Sequence, residues 1–504
     1  MKALSYARSL LIKRSSYLII QRNMSLIRDK AFVNGEWVTS SKGKTFDVVN
    51  PTDGSIIGQV PDMDVEDTNA AIQSAYDAFK PWASTTAKER SNFLRKWFNL
   101  LEDNKEELAR IVSIEAGKPF KESLGEVFYG NSFIEWFSEE ARRIMGEIAA
   151  SPAKSKEMLF VRQPIGVAAL ITPWNFPHAM ITRKAGAALA AGCTCVIKPA
   201  EDTPLTALAL AKLAHDAGIP NGVINVITSS RENAAALGKL LCESPLVRGL
   251  SFTGSTGVGK LLYQQCATGI KRVSLELGGN APFIVFKSAD LDKAVAGAMA
   301  SKFRNCGQTC VSANRFLIEE PIFDDFVEKL KATMKNELKL GKDESCNTGP
   351  LINISQLNRV DSIVQDAVKK GARVHLGGGP AKDLGERWYQ PTLITDVKPD
   401  MVCYKEEIFG PVVACIKFKS EDEALKIAND TPVGLAGYFY SGDISQCWRV
   451  GKALEVGMVG INEGMISCTE AAFGGVKESG IGREGSHHGI EEYTDVKYLC
   501  FGNL

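Results

Sequence analysis

The chain has 504 residues, 45% hydrophobic and 23% charged, enough apolar material for a large core spread over two to four domains of roughly 150 residues each. That balance excludes a disordered, collagen-like or disulfide-scaffold protein. Lys+Arg and Asp+Glu are both 59, so the basic excess of a nucleic-acid binder is missing, and the longest small or apolar run, Gly186–Ile197, is too short for a membrane span.

The charge is uneven along the chain. Residues 1–28 carry Lys2, Arg8, Lys13, Arg14, Arg22 and Arg28 and no acid, and the first acidic residue is Asp29. A basic, serine-containing start of this kind reads as a mitochondrial presequence over residues 1–23, which would place the protein in the matrix. The alternatives are a frayed basic tail, or an upstream extension of a cytoplasmic protein whose working start is Met24. Twelve cysteines without a paired spacing point to free thiols in a reducing compartment. Five scattered histidines, with no HExxH and no CxxC, give no zinc site.

In chain order, Val65–Phe79 and Ala87–Ala116 have helical periodicity, and residues 151–164 alternate like a ribbon. From residue 165 short apolar runs alternate with helical segments. Ile165–Thr172, Thr194–Lys198, Gly222–Ile227 and Gly249–Phe252 read as buried strands. His178–Ala191, Thr203–Ala217, Arg231–Cys242 and Gly257–Thr268 read as helices. Thr203 is the expected N-cap of its helix, with Pro204 as first helical residue and Gly218 as the stop. This alternation predicts a parallel sheet with helices on both faces, and such sheets bind ligands at the carboxyl ends of their strands. A second α/β stretch runs from Ala281 to about Gly460, with strands at Pro282–Phe286, Arg315–Ile318 and Val412–Phe418. A ribbon at 493–504 is expected to pair with 151–164 or with a neighbouring subunit.

The residues able to do chemistry sit at these strand ends. Phe252-Thr253-Gly254-Ser255-Thr256-Gly257-Val258-Gly259-Lys260 is a glycine-rich turn opening a helix, which offers unpaired N–H groups to a phosphate. Gly254 to Lys260 fits the start of a P-loop, but the next residue is Leu261, not Ser or Thr. A dinucleotide site and a purely structural turn both stay open. Lys198 and Glu201 follow another strand and are either ribose ligands or a plain surface ion pair. Cys310, in Gly307-Gln308-Thr309-Cys310, is a nucleophile if its surroundings favour a thiolate, with Arg304 as the nearby cation; otherwise it is inert core. Glu276 ends an apolar strand, where desolvation raises a carboxyl pKa and suits it to general-base work. Asn175, in Trp174-Asn175-Phe176-Pro177, offers an amide to an oxyanion.

Ile171 to Pro177, Lys198 to Glu201, Phe252 to Thr256, Leu275 to Gly279, Gly307 to Cys310 and Glu407-Ile408-Phe409-Gly410-Pro411 resemble, in order and spacing, the aldehyde dehydrogenase superfamily. The resemblance covers residues 30–504. It implies an α/β protein: a Rossmann-like parallel-sheet NAD-binding domain (24–147 and 165–278), a second α/β catalytic domain (279–480) and a small β-strand oligomerisation element (148–164 and 481–504) that builds a homodimer or tetramer. It also implies that Cys310 attacks a small aldehyde to give a thiohemiacetal, that Asn175 and the Cys310 N–H hold the oxyanion, and that Glu276 activates the hydrolytic water. CoA-acylating relatives typically lack that glutamate, so Glu276 implies a free acid product. Trp174, Lys198, Glu201, Gly254, Ser255, Glu407 and Phe409 resemble the cofactor-binding residues of the family. A carboxylate at Glu201 accepts ribose hydroxyls and repels a 2′-phosphate, which favours NAD, with NADP as the weaker alternative.

Asn280 to Phe283, Met180 to Lys184, Lys302 to Asn305 and the end from Gly485 resemble the branch that oxidises succinate semialdehyde in 4-aminobutyrate breakdown. By that resemblance Arg183, Arg304 and Ser467 hold the remote carboxylate, a task suited to paired guanidinium hydrogen bonds. A broader aldehyde or glutarate-semialdehyde range, or a catalytically silent protein on the same fold, are the competing readings. Several members of this branch carry a second cysteine two residues after the nucleophile; here that position is Ser312, so that switch cannot form, and Cys306, four residues before Cys310, is the candidate for a redox pair with it.

Overall fold

The computed structural model describes residues 24–503, so the expected presequence lies outside the described residues. Two large sheets organise the chain. The core of the first is five parallel strands: β1 (Val167–Ile171), β2 (Thr194–Lys198), β3 (Ile224–Val226), β4 (Val247–Thr253) and β5 (Arg272–Glu276). Their order is β3-β2-β1-β4-β5. The chain moves outward from β1 to β3, then crosses back to β4. The strand order therefore reverses between β1 and β4, which opens a crevice at their carboxyl ends. Residues of β1 and β2 are buried throughout, as expected for strands covered on both faces. The edges are closed by short antiparallel strands, Ala31–Val33 and Glu36–Val38 beyond β3 and Gly480–Ile481 beyond β5. None of these three is visible as a strand in the sequence pattern, because each is only two or three residues long.

The second sheet contains β6 (Pro282–Val285), β7 (Arg315–Glu319), β8 (Thr392–Thr395), β9 (Val412–Phe418), β10 (Ala436–Tyr440) and β11 (Met458–Ile461). They run in the order β8-β9-β7-β6-β10-β11, all parallel, with Arg373–Leu376 antiparallel at the β8 edge. The two ribbons pair with each other: Thr494–Gly502 lies antiparallel to Lys156–Pro164 along its whole length, and Glu147–Ala149 adds a third strand. Val496, Tyr498 and Phe501 stay exposed on that small sheet. No helix among the described residues is long and apolar enough to cross a membrane.

The helices that matter for the site are α1 (Phe120–Glu140), α2 (Ala179–Ala191), α3 (Pro204–Asp216), α4 (Arg231–Glu243), α5 (Thr256–Cys266) and α6 (Leu291–Phe303). Two expectations change. The helix predicted over Ala87–Ala116 is two helices, broken at Asn104, whose ψ of 14° leaves the helical range. Thr203 makes no capping hydrogen bond from its side chain. Instead Glu115, from the helix Lys105–Ala116, reaches the start of α3 and accepts the Leu205 and Thr206 N–H groups at 2.8 Å each. A distant carboxylate thus satisfies the helix end that the local hydroxyl was expected to serve.

Candidate active site

The crevice at the β1/β4 reversal is a cavity of about 430 Å³. Trp174 and Asn175 enter it from the turn after β1, Thr253, Gly254 and Ser255 from the end of β4, and Glu276 to Gly278 from the end of β5. Cys310 and the pair Glu407 and Phe409 close it from the second sheet. Five of the six motifs picked out along the sequence thus meet in one space. The sixth, Lys198 to Glu201, sits at the same edge of the sheet, just past β2.

Several features shape a cradle. Ser255 starts α5 with extended backbone and no capping bond from its side chain, so its hydroxyl and the first N–H groups of α5 stay available. Glu407 accepts the Gly279 N–H at 3.2 Å through one oxygen. The other oxygen is so near Gly278 that a Cβ there would lie 2.9 Å away and would displace the Glu407 carboxylate. Phe409 takes a left-handed φ of 55° and stands edge-on to Trp174, with ring centroids 5.6 Å apart. Gln356 donates to the Phe409 carbonyl at 2.8 Å and Arg359 to the Glu407 carbonyl at 3.0 Å, fixing this loop from behind. Lys198 is buried, and its ammonium donates to the Pro199 carbonyl at 3.1 Å. Burial lowers the Lys198 pKa, with Glu201 opposing the shift.

The loop carrying Cys310 follows α6. Asn305, Cys306 and Gly307 all have positive φ, from 53° to 73°. Gly307 presses on a second main chain: a Cβ there would stand 2.2 Å from the Gly410 carbonyl oxygen. Asn305 donates through its amide to the carbonyls of Asn175 at 2.9 Å and Gln308 at 3.2 Å. The Asn175 amide donates to the Gln308 carbonyl at 3.1 Å, which leaves its second proton for a ligand. Cys306 packs among Leu317, Leu351 and Ile408, whereas Cys310 borders a different apolar cluster. Both thiols are free.

Burial pushes the Cys310 thiol up to about 12, and Arg183 is the cation that opposes the shift. This corrects the expectation for Arg304, which instead lies over the faces of Phe176, at 4.7 Å, and Tyr129, at 5.6 Å. Glu276 is buried and neither carboxylate oxygen has a hydrogen-bond partner. Desolvation, with Glu484 next in size, raises its pKa well above the usual carboxylate value.

Arg183, on α2, does not stand free as a cationic fork. Its Nε side pairs with Glu484, and the adjacent Lys184 pairs with the same carboxylate. Its Nη1 and Nη2 remain buried without partners. Ser467 is half-buried in a segment held at both ends: Met465 Sδ lies 3.6 Å from Arg304 Nη1, and the Thr469 hydroxyl meets that of Ser132 on α1.

Three carboxylates that support this centre, the half-buried Glu122 and the buried Glu126 and Glu484, are not picked out by sequence motifs. Glu122 accepts the Asn305 N–H at 3.2 Å, and Glu126, paired with Lys118, accepts the His178 N–H at 2.9 Å. One face of α1 thus grips both the loop behind Asn175 and the loop before Cys310. Glu484 does the same for Arg183 and Lys184. The spacing of Glu122, Glu126, Tyr129 and Phe133, on one helical face, is the signal that could have found the first two.

Residues 37–499 match the aldehyde dehydrogenase family. The chain belongs to that family. This aldehyde dehydrogenase is 56% identical over 482 residues to the human protein named succinate-semialdehyde dehydrogenase, mitochondrial, covering 95% of this chain and 90% of the other. It is 53% identical over 479 residues to the Escherichia coli protein named succinate-semialdehyde dehydrogenase [NADP(+)], covering 95% and 98%. Among solved structures, a succinate-semialdehyde dehydrogenase from Burkholderia pseudomallei superposes with a TM-score of 0.93 at 51% identity, over 95% of this chain and 98% of that one. As an oxidoreductase of this family, the protein follows the α/β architecture that the motifs implied.

Proposed function

We propose that this aldehyde dehydrogenase oxidises succinate semialdehyde to succinate with NAD, through a covalent intermediate on Cys310. The observation that carries the reading is the pairing of two unmet needs beside one thiol: a carboxylate without partners, Glu276, and a guanidinium with two free donors, Arg183. Both act electrostatically on Cys310. The names of the human and E. coli relatives point to the same substrate.

In this reading the first sheet, with residues 24–147 and 165–278, carries the cofactor, residues 279–480 carry the nucleophile, and 148–164 with 481–504 join subunits into a homodimer or tetramer. The free helix start at Ser255, the narrow place at Gly278 and the Trp174–Phe409 pair fit a dinucleotide. Gly254 and Ser255 would take its pyrophosphate, Lys198 and Glu201 its adenosine ribose, and Glu407 and Phe409 its nicotinamide end. The cofactor, when bound, supplies a hydride acceptor.

The protein does the rest. Arg183 favours the Cys310 thiolate, whose sulfur adds to the aldehyde carbon. The free Asn175 amide proton and the Cys310 N–H stabilise the oxyanion of the resulting thiohemiacetal. Loss of hydride leaves a thioester on Cys310. Glu276, unpartnered and desolvated, takes a proton from water as that water attacks the thioester carbon, and succinate leaves with the C–S bond broken. At the far end of the substrate Arg183 and Arg304 bind the carboxylate, with Ser467 beside them. The Glu201 carboxylate supports NAD, although the E. coli relative is named for NADP. The human and Arabidopsis relatives named as mitochondrial support a mitochondrial location; the matrix follows from the basic residues 1–23, and a role in 4-aminobutyrate breakdown from the substrate proposed.

The test is the initial rate of reduced-cofactor formation from succinate semialdehyde and from hexanal, each with NAD and NADP. A fast NAD rate that hexanal does not match is expected. Comparable rates on hexanal would overturn the substrate assignment and leave the chemistry standing.

A further inference from the structure

Tyr129 lies on the same face of α1 as Glu122 and Glu126. Its ring stands edge-on to Phe133 at a centroid distance of 4.9 Å. Its hydroxyl is buried and has no hydrogen-bond partner. Arg183, Arg304 and Cys310 are the charged or ionisable groups acting on that hydroxyl. Two contacts bring the Ser467 segment to the same place: Ser132, three residues on, donates to the Tyr129 carbonyl at 2.8 Å, and its hydroxyl also meets that of Thr469.

Native interiors rarely leave a hydroxyl unmet without a reason. Tyr129 packs against Ala179 and Met180 of α2, the helix that carries Arg183, and the Arg304 guanidinium lies 5.6 Å from its ring centre; a guanidinium only donates, so neither arginine can take the phenol proton. The phenol proton therefore still needs an acceptor. Arg183 Nη1 and Nη2 need one as well. An anionic group that only accepts, placed among Tyr129, Arg183 and Arg304, would satisfy all three. Burial raises the phenol pKa, which keeps the proton on Tyr129 and preserves it as a donor.

We infer that Tyr129 is a specificity-determining residue whose hydroxyl donates to the remote carboxylate of the semialdehyde, beside Arg183 and Arg304. The inference rests on the semialdehyde reading above. Because the carboxylate is present in ground state and transition state alike, the contact should appear in KM more than in kcat.

The experiment compares the wild type with Tyr129→Phe on succinate semialdehyde and on butanal, and adds the melting temperature of each unliganded enzyme. For the variant, KM for succinate semialdehyde should rise about ten- to a hundredfold, as expected for a lost hydrogen bond to a charged group, with kcat within about twofold. Its butanal parameters should not move. Its melting temperature should not fall, since the hydroxyl has no protein partner to lose. An equal KM rise on both aldehydes, an unchanged KM for succinate semialdehyde, or a lower melting temperature would each overturn the role of Tyr129. A wild type that does not prefer succinate semialdehyde to butanal would instead overturn the semialdehyde reading, and that arm does not involve the variant.

Discussion

Arg183→Lys separates two duties that one side chain performs. The guanidinium turns its Nε side to Glu484 and leaves Nη1 and Nη2 unpaired and buried. A lysine has one compact ammonium and cannot serve both directions. It should stay with Glu484, because Lys184 holds one buried carboxylate oxygen and residue 183 pairs with the other. The substrate carboxylate would then lose two charge-assisted hydrogen bonds, each worth about 1.5–3 kcal/mol. A total of about 3 kcal/mol or more corresponds to a loss of at least about a hundredfold in kcat/KM. Steady-state rates on succinate semialdehyde and butanal read this directly, and the butanal value should hold within about threefold. A parallel fall on both aldehydes would mean that Arg183 acts mainly by bracing Glu484 or by its charge on Cys310. An unchanged rate on succinate semialdehyde would remove it from substrate binding.

Glu276→Gln should still release roughly one reduced cofactor per site in a rapid burst, then turn over about 10²–10⁴-fold more slowly, as rapid-mixing absorbance would record. Because burial raises the Glu276 pKa, the wild-type kcat should decline with falling pH at values well above the ordinary carboxylate range, and the glutamine variant should lack that limb. Glu201→Ser should lower KM for NADP about tenfold relative to that for NAD, by removing repulsion of a 2′-phosphate; an unmoved ratio would free Glu201 from that role. His178 is buried with both ring nitrogens unpartnered, and burial lowers its pKa to about 3. The unfolded chain gains the His178 proton below about pH 6.5 and the folded one does not, so stability is lost as pH falls from 6.5 towards 3. Between pH 7 and 5 this amounts to about 2 kcal/mol, and urea titrations should show His178→Ala with a flatter acid-side decline.

Much of the centre was legible because its parts are punctuated by local chemistry. Glycine turns and short apolar strands mark Gly254 and Ser255, Glu276 and Cys310, and a parallel sheet collects such strand ends at one edge whatever lies between them. The first sheet was legible for the same reason, down to the clear ends of α3. What escaped were partners supplied across long chain separations. Glu115 replaces Thr203 at the start of α3, and Glu484 claims Arg183 from 301 residues away. No local pattern announces a carboxylate whose purpose is to meet another loop's N–H. The cation opposing the Cys310 shift was misassigned in the same way: Arg304 is nearer in sequence, but Arg183 exerts the effect. The divided helix at Asn104 escaped because apolar periodicity continues through the break.

The contact between Gly307 and the Gly410 carbonyl joins main chain to main chain, with no side chain between. It works as a mechanical stop that sets the spacing between the Cys310 loop and the Glu407–Phe409 loop. Neither loop can shift without pushing the other, so the alignment of the two reacting ends is independent of what is mounted at the distal end of the pocket. In the proposed reading, Arg304, Tyr129 and Ser467 could therefore be exchanged to admit aldehydes of other charge while that spacing stays intact. The same stop makes Gly307 a position where even one added methyl group would press on the Gly410 carbonyl and disturb every substrate alike.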